Sequence, residues 1–222
     1  GIVWNFSAKT WNKVRGWSID APIDIDAASN SYAVSGTSNT NSFVQYANLY
    51  SLNGAQNVNI SYSHILVGNN GTLTCICTNV ISTGSQNCFA QSSAINCVAI
   101  SGSTGFLATS GACVLKNCVA MGSYSGFYGN SATLTITNCL AAYCYSGAYG
   151  NSAVNVLSVA TLFVSNNYAA TAGTVSGSPI TVGQVILDGS KIMRAYDPII
   201  AAGLLNLGVN AGAPSTDILG RL

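Results

Sequence analysis

Asn96-Cys97-Val98-Ala99-Ile100 recurs as Asn117-Cys118-Val119-Ala120-Met121 and again as Asn138-Cys139-Leu140-Ala141-Ala142, each copy a step of 21 beyond the last. A second phrase keeps the step: Gly105-Phe106, Gly126-Phe127-Tyr128 and Gly147-Ala148-Tyr149. A fixed period of about 20 residues marks a supersecondary unit that cannot bury its own apolar face and must stack on its neighbours. The period occupies 73–170. It opens in degenerate form at Cys75-Ile76-Cys77-Thr78-Asn79, where the step to Asn96 is 17. At its far end Thr133-Leu134-Thr135-Ile136-Thr137-Asn138 returns as Thr161-Leu162-Phe163-Val164-Ser165-Asn166, a step of 28 that implies a seven-residue insertion near 154–160.

Helix is disfavoured because Gly, Asn, Ser and Thr are dense and no 3.6-residue apolar stripe persists. Short β-branched runs punctuated by Gly and Asn read as strands. Asparagine tolerates the left-handed backbone that a sharp bend needs. Stacked turns would set Asn96, Asn117, Asn138 and Asn166 above one another as an amide ladder. The same stacking puts Cys97, Cys118 and Cys139 in a column one strand spacing (about 4.8 Å) apart. Free thiols filling an interior slot account for that column, since unpaired Cys behaves as a small buried hydrophobe. Structural disulfides are the alternative for eight cysteines. No Cys-x-x-Cys occurs to hold zinc, and no metal or cofactor is expected.

Residues 1–30 hold all three tryptophans and read as an N-terminal cap or first turn. Residues 31–170 form the solenoid, and 171–222, where the period is lost, a C-terminal turn and capping segment. Charged residues are 6% of the chain, Glu is absent, and the formal net charge is +1. With no basic stripe, nucleic acid is not an expected partner. The most apolar run, 198–214, is too interrupted and short to insert in a membrane. The chain opens at Gly1 without a signal-peptide pattern, so either a leader has been removed or it is a piece of something longer.

The Asn-Cys-Val/Leu-Ala phrases on a roughly 21-residue coil resemble the right-handed parallel β-helix of the pectate-lyase-like fold. The expected class is therefore all-β, a right-handed single-stranded parallel β-helix with roughly 21-residue turns. The ending Thr216-Asp217-Ile218-Leu219-Gly220-Arg221 resembles the closing segment of bacterial secreted surface and phage tail β-helix proteins.

That resemblance implies two catalytic precedents: lyases that use Ca²⁺ with an Arg or Lys base, and glycosidases that use paired carboxylates. Both need acids on the middle turns, and this chain has none between Asp26 and Asp188. His64 is the sole histidine and has no Gly-x-Ser-x-Gly elbow to serve. A non-enzymatic structural protein at an extracellular or virion surface is the expectation: a phage tail-spike, fibre or adhesin scaffold attaching to host glycans. Tyr124, Tyr128, Tyr143, Tyr145 and Tyr149 are the candidate glycan platform. A cell-surface polysaccharide and further copies of the chain, as a trimer or end-to-end filament, are the expected partners. A self-assembling filament subunit is the alternative function, and a polysaccharide lyase or hydrolase the second.

Overall fold

A computed structural model describes residues 4–5, 13–18, 20–36, 42–84, 86–100, 102–142 and 144–156, and strand segments 162–164, 169–176 and 180–182; its side chains are described for most of 14–147. The described residues form strands without helix, and every pairing between strands is parallel. Each strand pairs with the one a full turn away, which makes a parallel β-helix of about six turns.

The turn length corrects the 21-residue expectation. Phe43 pairs with Asn59, Asn59 with Ile76, and Ile76 with Ser93, so from Phe43 onward the advances along this file are 16, 17 and 17. Past this run the advance lengthens to 21, where Ala94 meets Leu115 and Val98 meets Val119; the coils before Phe43 are also longer, with Lys13 paired to Phe43 and Val34 to Ala55. The physical reason is local. Leu107 still pairs with Ala90 at the shorter advance, so the added length enters just after it, at 109–112. Ser110, Gly111 and Ala112 there are exposed and Gly111 has φ +69°. The basic coil is therefore a turn of about 17 residues, and the repeated phrase reports that turn plus a loop.

A second correction concerns the expected insertion. Thr133 pairs with Ala153, an advance of 20, and Leu140 with Leu162. Leu162–Val164 is thus the continuation of the Leu140–Ala142 strand, and the resemblance of 161–166 to 133–138 is not one of register. The parallel ladder also extends beyond residues 31–170: Lys13–Arg15 pairs with Phe43–Gln45, and Leu162–Val164 with Ile180–Val182. Asn166 and residues 183–222 lie outside the described residues.

Inward positions stack like on like. Val44, Ile60, Cys77, Ala94, Leu115 and Ile136 form one file, each at most 1% exposed. Phe89, Phe106 and Phe127 form another, with ring centroids 4.7 and 5.5 Å apart and planes within 7° and 18°. The narrow lumen beside them admits no further Cβ: one on Gly105 would sit 2.7 Å from the Gly126 carbonyl oxygen and 2.9 Å from Ala120 Cβ. Such close approach requires glycine.

The corners explain the cysteines. Tyr46, Tyr62, Asn79, Asn96, Asn117 and Asn138 take φ between 47° and 55° at one corner, and Asn57, Thr74 and Gln91 between 50° and 55° at another. At six of these corners the next residue turns inward and donates to the carbonyl just before the bend. Ser63 Oγ reaches Ser61 O at 2.7 Å and Ser92 Oγ reaches Ala90 O at 2.9 Å. The thiols of Cys75, Cys97, Cys118 and Cys139 reach Leu73, Ile95, Lys116 and Thr137 oxygens at 3.3–3.4 Å. Serine and cysteine are interchangeable here because both are small one-donor side chains. At the Asn79 corner Val80 follows and offers no donor, and Asn79 Oδ1 is buried without a partner. All eight cysteines are buried and no disulfide joins them.

One sheet is apolar on both faces. Ile81, Val98 and Val119 are register neighbours pointing away from the lumen, and with Ile100 they form a second cluster outside the main core. Buried parallel sheets commonly carry apolar residues on both faces.

Candidate ligand-binding surfaces

Two outward surfaces have the chemistry to hold a ligand. The first is the tyrosine file. Around Tyr124 and Tyr145 the chain alternates strictly: Ser123, Ser125, Cys144 and Ser146 are buried, and the tyrosines between them are 60% and 45% exposed. The register step places Tyr145 over Tyr124, with its backbone N–H donating to Ser123 O at 3.1 Å. The two rings stack at 4.6 Å with planes 7° apart. On the preceding turn, where Tyr124 N–H donates to Gly102 O and Ser125 N–H to Ser103 O, the corresponding residue is the exposed Ser103. A hydroxymethyl group is too small to cover a phenol ring, so the Tyr124 face on that side stays open.

The other candidate tyrosines are placed differently. Tyr128 is half-buried, one register step above Leu107 and one below Tyr149, and its hydroxyl donates to Asn130 Oδ1 at 3.3 Å. Tyr143 and the Tyr149 side chain lie outside the described residues. The structure therefore brings together Tyr124 and Tyr145.

The second surface is an open depression of about 340 Å³ near the N-terminal end. Two outward files line it, Phe43–Asn59–Ile76 and Gln45–Ser61–Thr78. Amides, hydroxyls and apolar groups make up the lining, with no carboxylate, imidazole or amine among them. Such a lining suits neutral hydrogen-bonding ligands and offers no general acid–base pair.

Asn96, Asn117 and Asn138 sit above one another at the left-handed corner, and a side-chain amide ladder runs through a further set of asparagines. Asn70 donates to Asn53 Oδ1 through its backbone N–H at 3.3 Å and its Nδ2 at 3.4 Å, and Asn87 Nδ2 donates to Asn70 Oδ1 at 2.8 Å. Their signal in the sequence is the even step of 17 between them. Cys97, Cys118 and Cys139 line the lumen behind their corners, each at most 1% exposed. Burial pushes the Cys118 and Cys139 thiols well above the ordinary thiol range, and Cys75 and Cys88 up to about 11. Thiols so protonated are poor nucleophiles and poor metal ligands. Among the described residues no group of three or more His, Cys, Asp or Glu is placed to hold a metal ion.

The sequence matches no known family model and no curated protein. Among solved structures, the crystal structure of pectate lyase Pel9A is similar over 100% of this chain and 76% of its own, with a TM-score of 0.45 and 14% sequence identity. The parallel β-helix assignment rests on this chain's own strand register.

Proposed function

We propose that this chain is an attachment scaffold at an extracellular or virion surface, a spike, fibre or adhesin element that holds host glycans without cleaving them. The observation that carries the reading is the exposed Tyr124–Tyr145 stack with one open ring face over Ser103. A pyranose ring laid on that face extends the aromatic column by one rung. Amide and hydroxyl groups on neighbouring turns supply the hydrogen bonds that orient a sugar. Very few charges interrupt this surface, which matches an uncharged polyhydroxylated ligand. Homo-oligomers would present several copies of the same weak site, and avidity would raise the overall attachment strength.

The test is binding of the purified chain to immobilised surface polysaccharides, with product analysis of the bound glycan. Wild type should retain at least one neutral polysaccharide intact. Tyr124→Ala should weaken retention by about two- to tenfold, the worth of one aromatic stacking contact at about 0.5–1.5 kcal/mol. Tyr128→Ala, at the half-buried ring, should have less effect. Depolymerised product, or full retention by Tyr124→Ala, would contradict the proposal.

A further inference from the structure

The corner file that reads Asn79, Asn96, Asn117, Asn138 in later turns reads Tyr46, Tyr62 in the earlier ones, and all six residues take the same left-handed backbone. Asparagine adopts that conformation at little cost; a bulky aromatic is an outlier there. Strain retained where an easier residue serves elsewhere in the same file directs attention to function.

The surroundings of the two tyrosines are also unlike the rest of the helix. Their rings meet at 5.4 Å and 34°, and the Arg15 guanidinium lies over the Tyr46 ring at 5.5 Å. Just past the corner, on three consecutive strands, the outward file reads Asp24, Asn48, His64. Asn48 Nδ2 donates to the exposed Asp24 carboxylate at 2.9 Å. Continued along the same file, the next outward residues are Ile81 and Val98. The polar cluster is therefore confined to the first turns.

We propose that this corner is a second saccharide site, in which Asp24 and Asn48 read two adjacent hydroxyls of a neutral pyranose whose apolar face rests on the Tyr46–Tyr62 step. A carboxylate beside an amide offers two acceptors and a donor at the spacing of neighbouring strands, about 4.8 Å, which suits a vicinal diol. Burial lowers the His64 pKa from 6.5, so at neutral pH its imidazole is uncharged and has one donor and one acceptor for a third hydroxyl. The site stands apart from the Tyr124–Tyr145 file and does not rest on it.

The chain has one histidine, so its imidazole proton signal is a single unambiguous NMR reporter of this corner. Methyl glucoside, galactoside and mannoside are the probes, titrated to their solubility limits. At least one should shift the His64 signal saturably. Asp24→Ala should weaken that response by about tenfold, the worth of a charge-assisted hydrogen bond. Tyr124→Ala should leave it unchanged, which separates failure of this site from failure of the other. Tyr62→Asn should raise Tm, because it removes the backbone strain, and weaken the response. A silent His64 signal with every glycoside would overturn the proposal. So would a Tyr62→Asn variant that melts earlier or keeps the full response.

Discussion

Phe106→Ala is expected to lower unfolding free energy by about 3–5 kcal/mol, the usual cost of deleting a fully buried phenylalanine. Phe106 is 1% exposed and is the middle member of the Phe89–Phe106–Phe127 file, so its removal takes a stacking partner from both neighbours. The lumen cannot readily collapse into the space, because strand spacing along the axis is fixed by hydrogen bonds on every side. The loss therefore includes most of the cavity cost as well as the transfer cost. The file is flanked in register by Thr72 below and Ala148 above. Phe89→Ala, at the Thr72 end of the file, strips one aromatic contact where Phe106→Ala strips two, and should cost less. Chemical denaturation followed by far-ultraviolet circular dichroism measures both. A Phe106→Ala loss under about 1 kcal/mol would mean that the ring is not enclosed as described.

Cys118→Lys is expected to abolish folding. The Cys118 thiol is fully buried, donates to Lys116 O at 3.3 Å, and lies 3.4 Å from Ala94 O on the preceding turn. An ammonium at that point has no carboxylate in the described lumen, and an uncompensated buried charge costs several kcal/mol, comparable with the whole stability of a domain. Cys118→Ser keeps a small donor aimed at the same carbonyl, as Ser63 and Ser92 already do at their corners. That variant should fold, at a cost near one hydrogen bond or less, about 1 kcal/mol. Solubility on expression and the melting temperature of the two variants give the readout. A soluble, native-like Cys118→Lys protein would refute the interior placement of the Asn-Cys phrase.

These two residues also show how far the sequence can be read. Repetition of Asn-Cys-Val/Leu-Ala is enough to put the asparagine at a bend and the cysteine just behind it, because equivalent residues in a stack must share an environment. The phrase does not convey that 17 is the basic advance. The turn holding 109–112 and its successor carry an added exposed loop, and those are the turns where the wording repeats most clearly. The turns just before them keep the shorter step in less conspicuous form, as Asn53, Asn70 and Asn87. The thiol's role as a donor is also hidden: it becomes visible only when Ser63 and Ser92 are seen at the same structural position, which needs the register.

The candidate sites follow the same division. Tyr124 and Tyr145 are readable because they keep the step of 21 inside the clear repeat, and the structure stacks them. Tyr46 and Tyr62 keep a different step and belong to a corner otherwise occupied by asparagine. No local motif marks them, and Asp24, Asn48 and His64 fall on three separate strands at uneven intervals along the chain. Their proximity is a product of coil register alone.

Register is thus the claim on which the site assignments rest, and an engineered cross-link tests it most directly. Val114 and Thr135 are outward-facing register partners on adjacent parallel strands, and a strand spacing of about 4.8 Å falls within the Cα separation a disulfide accepts. Val114→Cys combined with Thr135→Cys should form a disulfide on mild oxidation, mapped by mass spectrometry without reduction, while the eight buried native thiols stay reduced. Val114→Cys combined with Thr137→Cys, displaced to the next outward position along the strand, should not. Cross-linking of the displaced pair with none in the Val114–Thr135 pair would contradict the register, and with it the stacking of Tyr124 under Tyr145.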